Sequence, residues 1–429
     1  MTGETTPGGD PEIAPSDYRR NFTAGLVHGV FFQASAALAS IHTVLPSFIA
    51  LLTPSPVAVG LMAAMQDGGE IAPQLYTAYR LGGRTRNKPI LLVIITLRWI
   101  SWLVLAWLTF AFGAEHPGLV LIVLLVLFGV FSLSGGVGTV VFADVFSKAI
   151  PARRRGRFIG FRQLLGYSAA IAAGSVVGWI LSDAGPGFPG DYALIFLLTA
   201  AALLVAFVGF LMIREPAVPS RRPADTFGRM IRKAGWLARH NPNFRRLMWA
   251  RGVVQAGLAL APFYVVYALD DRGLDPAMVG VLLSAQMAGG ALSNLLWGWL
   301  ADRSGNRRVI LLTMITGLLT PLAALAAPLG DAAFVVVFAL LGSTMSGLRL
   351  GFANIVLEMA DPELRPTCVA LLNTLLAPVS LLPLAVGGLS VVLSYPVLFA
   401  GGAIAAVPGF QAARRIIDPR VDPEGACIQ

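Results

Sequence analysis

Apolar residues come in long runs along this chain, separated by short polar connections. A helix that crosses a bilayer needs about 20 predominantly apolar residues, since it rises about 1.5 Å per residue through some 30 Å of hydrocarbon. Roughly twelve runs meet that length: 22–52, 57–81, 89–112, 118–146, 157–182, 191–213, 243–270, 277–301, 308–328, 332–360, 366–392 and 395–413. The pattern predicts an all-α polytopic membrane protein.

The longest connection, 214–242, falls in the middle of the chain. It carries Pro216, Pro219 and Pro223, followed by Phe227, Met230, Ile231, Ala234 and Leu237 at helical spacing among basic residues. That spacing predicts a short amphipathic helix on the inner leaflet, within a linker. The predicted organisation is a disordered tail over 1–20, a six-helix bundle over 21–213, the linker over 214–242, a second six-helix bundle over 243–413, and a tail over 414–429. The first tail is rich in Gly, Pro and Thr and has no apolar centre, so it is not read as a cleaved signal peptide.

Only 13% of the residues are charged, where a soluble domain carries about 25%. The formal net charge is +9. In a soluble protein that would point to nucleic acid, but here the basic residues sit in alternate connections. Arg80, Arg84, Arg86 and Lys88 follow the second run; Arg153, Arg154, Arg155 and Arg157 the fourth; Arg303, Arg307 and Arg308 the eighth. The 214–242 linker is also basic, whereas the intervening connections hold only Arg272. This bias places both termini in the cytoplasm of a bacterial cell, with the chain multi-pass in its inner membrane. The expected partners are lipid and a small solute, with no nucleic acid and a monomeric chain. Two cysteines give no disulfide framework or thiolate metal site. The sequence contains no G-x-x-x-x-G-K-S/T loop and no histidine pair at zinc-site spacing. No catalytic group, cofactor or metal is expected, and the chain is not read as an enzyme.

Polar residues inside the runs are the better lead, because they are costly in lipid and mark pathways or sites. Asp67, Glu70 and Gln74 fall at i, i+3 and i+7, within a ~60° arc of the second span. Arg98 lies about ten residues into the third span, roughly 15 Å deep. An Asp67–Arg98 or Glu70–Arg98 pair is expected, either as a static lock between helices or as a proton-coupling group. His28, Ser35, His42 and Pro46 share one face of the first span. The two histidines stand about 21 Å apart along the helix and cannot clasp one small molecule, and each also has a packing role open to it. Arg251 and Gln255 share a face of the seventh span, and Gln286 lies in the eighth. Arg349 is a lone guanidinium deep in the tenth span and is the candidate for attracting an anionic group; snorkelling to the inner interface is its alternative.

The two halves read as repeats. Asn21-Phe22 opens one and Asn243-Phe244 the other, which sets Gln33 against Gln255 and His42 against Tyr264. Aligning Arg155 with Arg365 also aligns Asp144 with Asn354 and Gln163 with Asn373.

Residues 298–311 read Gly-Trp-Leu-Ala-Asp-Arg-Ser-Gly-Asn-Arg-Arg-Val-Ile-Leu. The spacing of Gly298, Asp302, Arg303, Gly305, Arg307 and Arg308 resembles the signature loop of the major facilitator superfamily, with Asn306 in place of its usual basic residue. The first-half copy departs further, with Gly83 at the place of Asp302 and Arg86 at that of Gly305. The fifth span lacks the Gly-Pro pair typical of drug/proton antiporters in this superfamily. The resemblance covers about residues 20–413. It implies two pseudo-symmetric six-helix bundles, a midplane site lined by the first, fourth, seventh and tenth helices, and a cytoplasmic gate. The candidate cavity residues are His28, Gln33, His42, Arg251, Gln255, Tyr264, Gln286, Arg349 and Asn373. Those for coupling are Asp67, Glu70, Gln74 and Arg98. The gate residues are the signature loop with Asp144, Arg155 and Arg365. The expected function is secondary transport of a small solute by alternating access, with export slightly preferred to uptake and proton coupling as a hypothesis. An uncoupled facilitator, or a non-transporting assembly factor or receptor on the same fold, are the alternatives.

Overall fold

The computed structural model describes residues 15–81, 84–218, 239–360 and 375–422, with positions 228, 232, 236, 368, 372 and 373 besides. Nine helices among them are long and apolar enough to cross a membrane: Lys88–Phe112, Pro117–Ala149, Arg153–Ile180, Gly190–Leu211, Pro242–Asp271, Met278–Ser304, Asn306–Leu325, Ala332–Met359 and Tyr395–Arg414. These are the third to tenth and the twelfth of the predicted runs.

The other three runs depart from the simple pattern for identifiable reasons. The second is one helix, Pro56–Leu81, long enough to span but made polar by Gln66, Asp67, Glu70 and Gln74. The first is split into Pro15–Leu38 and Val44–Leu52, with Pro46 in the first turn of the second piece. The seventh breaks in the same place, between Pro242–Leu258 and Ala261–Val266, with Pro262 just inside. Proline cannot donate a helical hydrogen bond from a helix interior but is well placed in a first turn. The eleventh is seen as a 3-10 turn, Ala377–Leu381, running into Leu382–Leu389. The predicted amphipathic stretch from Phe227 to Leu237 lies largely outside the described residues, as does Arg365.

Helix pairing repeats between the halves. In the first, span one packs on six, two on four, and three on four and six; in the second, seven packs on twelve, eight on ten, and nine on ten and twelve. The halves meet through spans five and eight and through two and eleven. Glycine makes the approach possible. A Cβ on Gly280 would run into the backbone of Gly174 and Gly178, and one on Gly60 into the carbonyl of Pro383.

The repeat is visible in hydrogen bonds too. Asn21 donates to the carbonyls of Ala149 (3.2 Å) and Arg214 (3.0 Å) and accepts from the Arg214 N–H (2.8 Å). Asn243 donates to the carbonyl of Ile417 (3.3 Å) and accepts from its N–H (2.8 Å). Each asparagine clasps the chain where it leaves the last helix of its half.

Candidate functional site: a crevice between the halves

Packing decides which end of the molecule is closed. At the end away from the arginine-rich connections, residues of both halves join in one core, including Leu45, Phe48, Val177 and Phe196 from the first and Phe263, Val266, Leu282 and Phe334 from the second. At the basic end the cores are separate. One holds Leu91, Val141, Phe158 and Phe210 of the first half, the other Phe244, Leu247, Phe352 and Ile355 of the second. The halves are therefore sealed together at one end and parted at the other.

A cavity of about 300 Å³ lies between them, lined by Gln33, Arg162, Gln163, Tyr167, Asn294, Ser346, Arg349 and Leu350. Spans one and five supply one wall, and spans eight and ten the other. Asn294 bridges the halves by donating to Gln163 Oε1 at 2.7 Å, and Ser346 donates to Asn294 Oδ1 at 3.5 Å. Arg349 makes only a long bond, 3.4 Å, to the carbonyl of Met345 one turn before it. The Arg162 guanidinium lies 4.9 Å over the ring of Phe142, and its buried Nε has no hydrogen-bond partner.

Sequence reasoning found Gln33 and Arg349 but not the rest of this lining. Depth was the available signal for Arg162: it stands ten residues into the fifth span (152 to 162), as far from the basic connection as Arg349 is in the tenth (349 to 359).

The expected arginine–carboxylate pair is not formed. Among the described residues Arg98 has no carboxylate within ion-pair distance; its guanidinium sits 3.8 Å over Phe131 and 5.4 Å over Phe32. An aromatic face offers a cation an electrostatic attraction of its own, and spacing along the chain does not reveal which neighbour a side chain turns to. Glu70 instead accepts from Gln66 Nε2 at 2.6 Å, and Ser132 donates to Gln66 at 3.3 Å. Asp67 and Glu70 are both exposed, and Glu70 is in electrostatic reach of both Arg98 and Arg349. Gln74 is partly buried farther along the same helix.

Several other candidates lie away from the cavity. His28 is buried among Phe32, Phe142 and Phe210, with Nδ1 3.2 Å from the carbonyl of Ala206, which is a packing position between spans one, four and six. Tyr264 is buried against Phe399 in the seal. Gln286 is buried between spans eight and ten, with Nε2 3.3 Å from Met345 Sδ. Arg251 donates to Asn373 at 2.8 Å, which joins two predicted residues inside the second half; Gln255 Oε1 nearby is buried without a partner. His42 sits in the break of the first span, where its backbone N–H reaches Ser40 Oγ at 3.3 Å.

At the basic end Asp144 pairs with Lys148 (2.8 Å) and accepts from Asn87 (2.7 Å). Arg155 caps the fourth helix through the carbonyls of Ser147 and Ile150. Gly305 ends the eighth helix at φ +83°, a conformation that favours glycine. The Asp302 side chain is exposed, and its backbone carbonyl accepts from Arg420 (3.1 Å). Arg303 lies over Trp299, Arg307 donates to the carbonyl of Arg414 (2.8 Å), and Arg308 to Ser304 (2.9 Å). Gly298 has no neighbour within 4 Å where a side chain would project. Glu358 and Arg420 were not predicted; they pair at 3.1 Å, and Asn306 donates to Glu358 at 2.9 Å.

Two helical bundles that share a core at one end and part at the other, with a polar cavity between them, define a polytopic membrane protein. Residues 247–425 match the sequence family described as the Major Facilitator Superfamily. No curated protein matches the sequence. The solved nucleoside transporter NupG is similar in fold, with a TM-score of 0.67 at 14% identity, covering 92% of this chain and 99% of that one. A bacterial homologue of the iron transporter ferroportin, in its inward-facing state, gives 0.65 at 13% identity over 94% and 99%. A bacterial homologue of the human lysosomal transporter Spinster, inward-facing and unoccupied, gives 0.60 at 15% identity over 94% of each chain. The chain shares the fold of these transporters over more than nine-tenths of its length, and its second half matches the Major Facilitator Superfamily sequence pattern.

Proposed function

We propose that the protein is a secondary transporter that carries a small solute by alternating access, with its basic end and both termini in the cytoplasm of a bacterial cell. The observation that carries this reading is the polar cavity between halves that share a core at one end and part at the other. A receptor or assembly factor on this fold could seal its midplane charges between helices. Here Asp67, Glu70 and Arg349 are exposed instead and Arg349 lines the cavity; accessible charge within the spans supports a pathway.

Glu70 is the best-placed proton carrier. It is exposed, tied to Gln66 and in electrostatic reach of two arginines. Asp67, one turn away, is the second candidate. Two carboxylates so close in a low-dielectric interior cannot both stay ionised cheaply. Arg98, held on aromatic rings rather than by a carboxylate, fixes local positive potential.

The test is a distance across the basic end. With Cys368 and Cys427 replaced by alanine, spin labels at Ser147→Cys and Ser304→Cys report whether spans four and eight approach. Exchange between a long and a short distance, with the balance moved by pH or solute, supports the reading. A single distance under every condition overturns it.

A further inference from the structure

Resting on the transport reading, we infer that the solute is a small polar oxyanion, bearing a carboxylate or a phosphate group, held between Arg162 of the first half and Arg349 of the second.

The two guanidiniums line one cavity from opposite walls. Neither has a carboxylate within ion-pair distance among the described residues. Among the described residues Arg162 lies over the ring of Phe142 and against Gly29, and its buried Nε has no hydrogen-bond partner; Arg349 makes a long hydrogen bond to its own helix. The half-buried Arg162 is costly without a counter-ion, the exposed Arg349 is open to a ligand, and a planar guanidinium is shaped for bidentate contact with an oxyanion.

The rest of the lining agrees. Gln33, Gln163, Tyr167, Asn294 and Ser346 are neutral hydrogen-bonding groups that suit hydroxyls or amides on the body of such a molecule. The surroundings also favour negative charge. In the middle of the bundle the described residues place four guanidiniums, Arg98, Arg162, Arg251 and Arg349, against two carboxylates, Asp67 and Glu70. Glu70 reaches Arg349 electrostatically but is hydrogen-bonded to Gln66, so Arg349 is left available.

The location adds a mechanistic point. Arg162 and Arg349 belong to different halves, and the halves already touch through Gln163 and Asn294. An anion held by both arginines joins the two walls of the cavity. Occupancy is then linked to closing of the basic end.

The experiment uses the full chain in detergent and in nanodiscs. Thermal stability is recorded with succinate, citrate, glycerol 3-phosphate and inorganic sulfate, with glycerol and choline as the neutral and cationic controls. We expect one or more organic anions to raise the melting temperature in a saturable way. Arg162→Gln and Arg349→Gln should each weaken the response by about 10- to 100-fold, since a hydrogen bond to a charged group contributes about 1.5–3 kcal/mol. Arg349→Lys should lose less. Asn294→Asp, which adds a carboxylate to the lining at nearly unchanged volume, should weaken anions, read as the shift on anion addition from its own ligand-free melting temperature; it keeps the test valid should an arginine variant fail to fold. Carboxylates acting without phosphates, or the reverse, identify the source of the oxyanion. Stabilisation by glycerol or choline alone, no response to any anion, or an anion response untouched by all four variants overturns the inference. The spin-label distance across the basic end is measured on the same samples. A moving distance with no anion response refutes the substrate class and leaves transport standing; anion binding with a fixed distance does the opposite.

Discussion

The contact of Gly280 with Gly174 and Gly178 offers a direct way to tilt the conformational balance. In the structure a Cβ on Gly280 would stand 2.5 Å from the Gly178 Cα and closer still to other backbone atoms, where ordinary contact is 3.4–4 Å. The obstacles are backbone atoms, which cannot turn aside as a flexible side chain can. Spans five and eight would have to part here by more than the 0.9 Å (3.4 − 2.5) that clears the Gly178 Cα, because the Gly178 nitrogen and the Gly174 carbonyl lie closer still. Overpacking of a close contact costs about 1–3 kcal/mol. If the contact exists only when this end is sealed, that cost falls on the sealed state alone. Gly280→Ala should then shift the population toward the state open at this end by roughly 5- to 150-fold. Spin labels at Asp183→Cys and Asp275→Cys, both exposed on that side, report the opening as a gain of long distances. Gly401→Ala is the control, since its Cβ would meet nothing within 4 Å. A Gly280→Ala protein that loses melting temperature but keeps the short distance would mean that spans five and eight are permanently joined there, and alternating access about this contact would be wrong.

Three further outcomes are expected. Glu70→Gln keeps a hydrogen-bonding partner for Gln66, so folding should be intact while dependence of solute flux on a pH gradient disappears; gradient-driven flux at the original rate would move the proton role to Asp67 or His42. Asn21→Ala and Asn243→Ala each strand buried backbone groups at the end of a half, and chemical denaturation should show a loss of about 1–3 kcal/mol for each; a neutral effect would deny that these clasps hold the repeats together. Asp302→Asn should leave thermal stability near that of the parent, because its carboxylate is exposed here, yet reduce the population closed at the basic end; equal closed populations in parent and variant would remove it from the gate.

The fold was largely legible because hydrocarbon imposes length. Each apolar run had to be a helix, and the run lengths gave the architecture. The asparagines Asn21 and Asn243, aligned with each other in the sequence, form two similar clasps in the structure. The site was legible only in part. In a soluble protein an apolar stripe points to the core and so tells which way each residue faces. In a membrane the outside is as apolar as the packed interior, so helical phase is lost and only polar residues carry direction. Gln33 and Arg349 were found on that basis. Asn294 and Ser346 were passed over because small polar side chains often satisfy themselves within a helix. His28, polar and deep, has the packing surroundings that its alternative reading described, with Nδ1 3.2 Å from the carbonyl of Ala206. Arg98 was placed at the right depth and given the wrong partner, because depth fixes height and not azimuth.

The basic end shows that a weakened sequence signature need not mean a missing anchor. Spans three and nine both start after a short connection, and a helix start leaves backbone N–H groups without intrahelical partners. In the second half Asn306 lies at that start and donates its amide to Glu358, which Arg420 also grips. In the first half Asn87 takes the equivalent place and donates to Asp144 (2.7 Å). There Glu215, from the chain beyond span six, accepts the N–H groups of Asn87 and Lys88 at 2.7–2.9 Å and pairs with Lys148 at 3.3 Å. Lys88 in turn donates to the carbonyls of Leu211 and Ile213 at the end of span six (2.7 Å). A carboxylate at a helix start and an ammonium at a helix end each oppose the partial charge they face. The loop that carries Gly83 where the second half has Asp302 has therefore not left its helix untethered. The acidic group is supplied from Glu215, well over a hundred residues farther along the chain, where no local motif could disclose it. In both halves the anchor ties the start of a helix to the segment that leaves the half. Each half is thereby tied to itself at the basic end, which is what the proposed rocking of the halves about a shared seal requires.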